Sequence, residues 1–163
     1  MKVYGTDVKG CLTSTPISDA KGLINVGDAN PLIVSVNSMQ EWSMKGWVPS
    51  IVTAMPVDDE HMLALEMWLS KAKVPYSNLL MGVTSFTDAM RWLNCDFFVT
   101  SDPAAHHVSL AMNKKLKLYV MRNHSNKEYE RYQANPVPGV EGNIKSRIHF
   151  VDSFKKITEL ENA

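Results

Sequence analysis

The chain predicts an α/β fold: a mostly parallel sheet covered by helices on both faces. Two observations carry this. Apolar runs of strand length alternate along the chain with segments of helical period, which is the pattern of βαβ units. A carboxylate, Asp7, then ends the first apolar run and meets a glycine turn at Gly10. In open α/β sheets that edge, at the carboxyl ends of the strands, is where ligands bind.

The elements follow in order. Lys2 to Asp7 reads as a buried first strand. Leu23-Ile24-Asn25-Val26 and Leu32-Ile33-Val34-Ser35 flank the turn residues Gly27-Asp28-Ala29-Asn30-Pro31, which predicts a small β-hairpin flap over the Asp7 loop. Asn37 to Lys45 is helical, with Met39, Trp42 and Met44 inward and Gly46 as its stop. Trp47 to Thr53 is the second core strand. Asp58 to Lys73 is the clearest helix: Met62, Leu65, Trp68, Leu69 and Ala72 follow helical spacing, and Asp58, Asp59 and Glu60 suit the N-terminal dipole.

Leu79 to Val83 is a short strand, and Ser85 caps a helix reaching Leu93. Cys95 to Thr100 is a further buried strand. Asp102-Pro103 reads as the N-cap and first residue of a helix to Met112. Leu116 to Met121 is a strand, and residues 123–143 form a long polar loop with one helical turn. Arg147 to Val151 is the last strand. Asp152 caps a closing helix with Phe154, Ile157 and Leu160 on one face.

The bulk numbers narrow the function. A length of 163 residues fits one domain, 1–163, with a sizeable core. Seventeen basic and seventeen acidic residues leave no net charge, so nucleic acid is not indicated as a partner. No apolar stretch is long enough to span a bilayer, and the N-terminus lacks the apolar core of a signal peptide. Cys11 and Cys95 are far apart and belong to no Cys-x-x-Cys pair, which fits free thiols in a reducing cytoplasm.

Three polar residues end three apolar strands: Asp7, Thr53 and Asp102. A parallel sheet brings such ends to one edge. Two carboxylates there offer hard oxygen ligands suited to Mg2+. The Thr53 hydroxyl and turn N–H groups can hold a phosphate oxygen, and Asp7 can attack phosphorus. The residues alone reach a possible acidic metal site at the sheet edge.

Asp7-Val8-Lys9-Gly10-Cys11-Leu12-Thr13 resembles the first motif of the haloacid dehalogenase-like superfamily, Asp-x-Asp-Gly-x-Leu-Thr. Ile51-Val52-Thr53-Ala54-Met55-Pro56 resembles its second motif, and Phe97-Phe98-Val99-Thr100-Ser101-Asp102 its fourth. The helix with Ala64-Leu65-Glu66-Met67-Trp68-Leu69, followed by Val74-Pro75-Tyr76-Ser77-Asn78-Leu79, is similar to the small nucleotidase-like and polynucleotide-phosphatase-like branches. The resemblance implies a Rossmannoid fold without a full cap domain. It implies that Asp7 is the nucleophile, that Thr53 binds the phosphoryl group, and that Asp7, the Lys9 carbonyl and Asp102 hold Mg2+. The implied activity is hydrolysis of a small phosphomonoester, such as a nucleotide, through an aspartyl-phosphate.

The chain departs from that pattern at several positions. Lys9 stands where the acid/base carboxylate is expected, and a lysine is a poor base at neutral pH. Met55 replaces a common Arg. No Lys occurs between Val74 and Asp102, where the third motif carries one; Thr84, Ser85 and Thr87 occupy that region. Ser101 and His106 stand where acids are common. These departures support a rival reading, a binding or structural protein that keeps the fold with a degenerate site. His106 and His107 point about 100° apart on a helix, so they read as surface or cap residues and not as a metal pair. The four Trp and ten Met read as core packing, since no basic stripe accompanies them.

Overall fold

A computed structural model describes residues 1–13, 29–134 and 144–162, with backbone alone for 132–134. Six strands form one sheet in which every pairing is parallel. They are β1 (Val3–Thr6), β2 (Val48–Val52), β3 (Asn78–Leu80), β4 (Phe97–Thr100), β5 (Lys117–Met121) and β6 (Ile148–Val151). The spatial order is β3-β2-β1-β4-β5-β6. Winding therefore runs outward from β1 to β3, returns to β1's other side at β4, and proceeds to β6. The reversal between β1 and β4 is a topological switch point, where an open α/β sheet leaves a crevice.

The helices are α1 (Ile33–Met44), α2 (Asp59–Lys71), α3 (Phe86–Leu93), α4 (His107–Met112), α5 (Lys127–Ala134) and α6 (Phe154–Glu161), with 3-10 turns at Pro103–His106 and His124–Asn126. Both sheet faces are covered, and strand alternation divides the core in two. Tyr4, Ile51, Phe97, Val99 and Tyr119 pack with Trp42, Leu65, Trp68, Phe154 and Ile157. Val52, Phe98, Leu118 and Val120 pack with Met90, Leu93 and Leu110 on the opposite side. Near-continuous apolar strands are the consequence of burial on both faces. Gly5 is required beneath Phe98, because a Cβ there would lie 2.6 Å from the ring.

The expected hairpin is corrected on its second half. Leu32 is the extended N-cap of α1, and Ile33, Val34 and Ser35 form its first turn. Ile33 and Val34 are exposed, whereas Ser35, Val36, Met39 and Trp42 face inward, so tertiary packing overrides the β-branched propensity. The first half, Leu23 to Val26, lies outside the described residues.

Two helix caps also differ from expectation. Asp102 occupies the N-cap position of the 3-10 turn, but its side chain makes no capping bond. Ser153, not Asp152, is the N-cap residue of α6. Residues 127–134, expected as loop, form α5. Met44 and Leu160 are exposed, and Glu161 takes the inward position on α6. Its carboxylate accepts hydrogen bonds from Lys2, Lys117 and Tyr119, tying the chain's first strand and β5 to its closing helix. Among the described residues, no helix is long and apolar enough to cross a membrane.

Candidate active site

The loop after β1 folds back on itself. The Leu12 and Thr13 N–H groups donate to the Val8 carbonyl at 2.9 and 3.2 Å, and Gly10 turns the chain at φ +76°. Val8, Cys11 and Leu12 are buried beneath the loop as its anchor. The Leu12 carbonyl also accepts from the Leu32 N–H at 2.8 Å, docking the start of α1 there. This leaves Asp7 at the sheet edge, partly buried, with Lys9 exposed above it.

Asp7, Thr53 and Asp102 follow β1, β2 and β4, three adjacent parallel strands, and so share one edge at the switch point. The Asp7 N–H donates to the Val99 carbonyl at 3.0 Å, which continues the β1–β4 pairing to Asp7. Two residues that sequence reasoning missed knit this corner. The Thr100 hydroxyl donates to Asp7 Oδ2 and accepts from the Asp102 N–H at 3.0 Å. The Ser101 hydroxyl donates to the Lys9 carbonyl at 3.1 Å, joining the β4 loop to the β1 loop.

A third missed residue acts from further away. Asn126, buried in the turn after β5, donates its amide to the Ser101 carbonyl at 3.1 Å and to the Met121 carbonyl at 2.8 Å. A reciprocal capping box with Asn123 holds Asn126 in place. Asn123 and Asn126 carried a legible capping pattern, but nothing local said what the amide would reach.

Burial raises the Asp7 carboxyl to about 7. The Thr100 hydrogen bond pulls it down, the Asp102 charge pushes it up, and a backbone N–H at Ser101 pulls it down again. Neither Asp7 nor Asp102 forms an ion pair among the described residues. The Lys9 ammonium, being exposed, does not neutralise the site.

Thr53 accepts the Met55 N–H at 3.2 Å, and its backbone is held by Leu80 and Val83. Its hydroxyl proton has no acceptor among the described residues, so it can be given to an anion. Ser85 caps α3 and Thr87 accepts from Ser109, so those hydroxyls are engaged elsewhere. Arg122, just past β5 on this edge, is held by Glu130 and Asp152.

The expectation that His106 lies at the surface is corrected. It is fully buried, with its ring 4.6 Å from that of Phe86 and 4.8 Å from that of Phe98, and neither ring nitrogen has a hydrogen-bond partner among the described residues. Burial lowers it to about 4, so it stays neutral at pH 7. His107 is exposed and packs against Tyr129.

No protein-family model matches the sequence, and no curated protein matches it significantly. Solved structures do match the fold. The D,D-heptose 1,7-bisphosphate phosphatase from Burkholderia thailandensis superposes with a TM-score of 0.68 at 11% identity, over 100% of this chain and 99% of that one. The same enzyme from B. bronchiseptica, complexed with magnesium and phosphate, superposes with a TM-score of 0.66 at 11% identity, over the whole of both chains. The chain has the haloacid dehalogenase-like fold.

Within a haloacid dehalogenase-like fold, a hard divalent cation suits the donor set at this edge. The Asp102 charge raises the pKa of Asp7, and neither carboxylate has an ion-pair partner among the described residues. The Lys9 carbonyl keeps a lone pair after accepting from Ser101. Among the described residues no group of three or more His, Cys, Asp or Glu could hold a metal ion, at this edge or elsewhere, so a cation here would rest on two carboxylates and backbone oxygen.

Proposed function

We propose that the protein is a Mg2+-dependent phosphohydrolase of the haloacid dehalogenase type, acting on a small phosphomonoester through Asp7. The observation that carries this reading is the pair Asp7 and Asp102 at the switch point, which has no ion-pair partner among the described residues, with Thr53 on the neighbouring strand. In it, Asp7, Asp102 and the Lys9 carbonyl would hold Mg2+, which would supply charge neutralisation for the phosphoryl group. The Thr53 hydroxyl donates to a phosphoryl oxygen, and the Thr100 hydroxyl holds the Asp7 carboxylate through its hydrogen bond to Oδ2. An Asp7 carboxylate oxygen bonds to phosphorus as the bond to the leaving oxygen breaks, and that oxygen takes a proton from solvent; water then attacks phosphorus, the bond to Asp7 breaks, and the water proton passes to solvent. The bisphosphate phosphatase neighbours support a phosphorylated small molecule as substrate, and a nucleotide fits the same site chemistry.

Lys9 predicts slow turnover, because a positioned acid/base contributes about 10²–10⁴-fold. The test is phosphate release from small phosphomonoesters with and without Mg2+. Release should need Mg2+, vanish in Asp7→Asn, and rise in Lys9→Asp. Release that survives Asp7→Asn removes the mechanism. The second reading, a catalytically degenerate binding protein, rests on Lys9 and on the lack of a third-motif lysine. It prevails if Lys9→Asp gains nothing and phosphate binds without turnover.

A further inference from the structure

We infer that Asp7 is a phosphoryl-holding site, charged by donors whose leaving group needs no proton, above all acyl phosphates, and slow to release the phosphoryl group to water. This inference rests on the proposed role of Asp7 as nucleophile and concerns the two half-reactions separately.

In the first half-reaction, an Asp7 carboxylate oxygen forms a bond to phosphorus while the bond from phosphorus to the leaving oxygen breaks. The electron pair departs with the leaving group. From an alkyl phosphate that group is an alkoxide, which must gain a proton as it leaves. From an acyl phosphate it is a carboxylate, stable as it stands, so no proton donor is required. In the second half-reaction a water oxygen attacks phosphorus and the bond from phosphorus to Asp7 breaks. The carboxylate is restored, and one water proton must be taken up. That uptake is what a base supplies.

No free base faces Asp7 among the described residues. Lys9 carries an exposed ammonium, which has no lone pair with which to take a proton. Asp102 belongs to the proposed cation site. His106 is sealed between Phe86 and Phe98. Arg122 is a cation held by Glu130 and Asp152. His61, at the start of α2, has its Nδ1 committed to both Asp58 oxygens at 2.7 Å. The charging step thus keeps its nucleophile and phosphate-binding hydroxyl, while the discharging step lacks its proton acceptor. The asymmetry favours accumulation of the phosphorylated protein.

The experiment incubates the full chain with acetyl phosphate and Mg2+, removes the donor, and follows intact mass with time. A single phosphoryl adduct, discharged by hydroxylamine, should form on the wild type. It should be absent from Asp7→Asn, whose folding is checked by circular dichroism. In Lys9→Asp the adduct should decay about 10²–10⁴-fold faster than in the wild type, because a carboxylate can accept the water proton. An adduct that persists in Asp7→Asn overturns the inference, as does a wild-type adduct decaying as fast as that of Lys9→Asp. No adduct, together with Asp7-dependent phosphate release from phosphomonoesters, overturns this inference and leaves the proposed function standing. No adduct and no Asp7-dependent release overturn both.

Discussion

Ser101 donates its hydroxyl to the carbonyl of Lys9 at 3.1 Å, so the two loops that carry the carboxylates are bonded to each other. Gly10 makes this approach possible. Its φ is +76°, and a Cβ there would lie 2.8 Å from both Cβ and Oγ of Ser101. Gly10→Ala is therefore expected to destabilise the fold by about 1–3 kcal/mol and to weaken Mg2+ binding. Urea unfolding and calorimetric titration with Mg2+ check the two effects. Unchanged values in both would mean that the loop tolerates the strain.

Asp7 sets a pH dependence of stability in the metal-free protein. Its carboxyl sits at about 7 in the fold, against an ordinary 3.8. The folded state therefore holds this proton more tightly than the unfolded chain does. Its contribution is fully present below about 3.8 and is lost as pH rises towards 7. Asp7→Asn removes that loss, so the variant should exceed the wild type at pH 8 by on the order of 2 kcal/mol, discounted for partial exposure, and match it near pH 4. Denaturant melts across this range decide it. A constant difference at every pH would assign the effect to packing instead.

His106 works in the opposite sense. Burial holds it near 4, below the ordinary 6.5, so the unfolded chain takes up a proton that the fold refuses. Stability is expected to fall as pH drops from about 6.5 towards 4. His106→Phe would fill the slot beside Phe86 and Phe98 without an unsatisfied ring N–H, and should gain about 1–3 kcal/mol at pH 5. The melting temperature at pH 5 and pH 8 tests this. A variant less stable than the wild type at pH 5 would show that the slot needs the imidazole.

Glu161 links Lys2, Lys117 and Tyr119 from the inward face of α6. Burial pushes its carboxyl up, but the hydrogen bonds from Lys117, Tyr119 and Lys2 prevail and hold it below its ordinary 4.5. Its contribution is present above that value and is lost as pH falls through the depressed folded one. Glu161→Gln should cost about 1–3 kcal/mol at pH 7 and much less at pH 3. Equal losses at both pH values, measured by chemical denaturation, would exclude the ionic contribution.

The sheet was legible in the sequence because each core strand is a short apolar run and each crossover carries a helical period. Burial on both faces writes itself into consecutive residues such as Phe97, Phe98 and Val99. The shared edge of Asp7, Thr53 and Asp102 was legible for the same reason, since parallel strands put their carboxyl ends together. Ile33 and Val34 misled because their β-branched propensity is local, while the helix they begin is held by Trp42 and Met39 far inside the core. Thr100, Ser101 and Asn126 carried no local signal of their roles, because a hydrogen bond across 92 residues, as from Ser101 to Lys9, has no pattern in the chain. By itself the sequence determined which residue types reach the carboxyl edge of the sheet. Only the tertiary structure decided that Lys9 faces solvent, that His106 is sealed in an aromatic slot, and that the two carboxylates have no ion-pair partner among the described residues. Those outcomes depend on which distant side chains arrive beside each group, and arrival is set by packing.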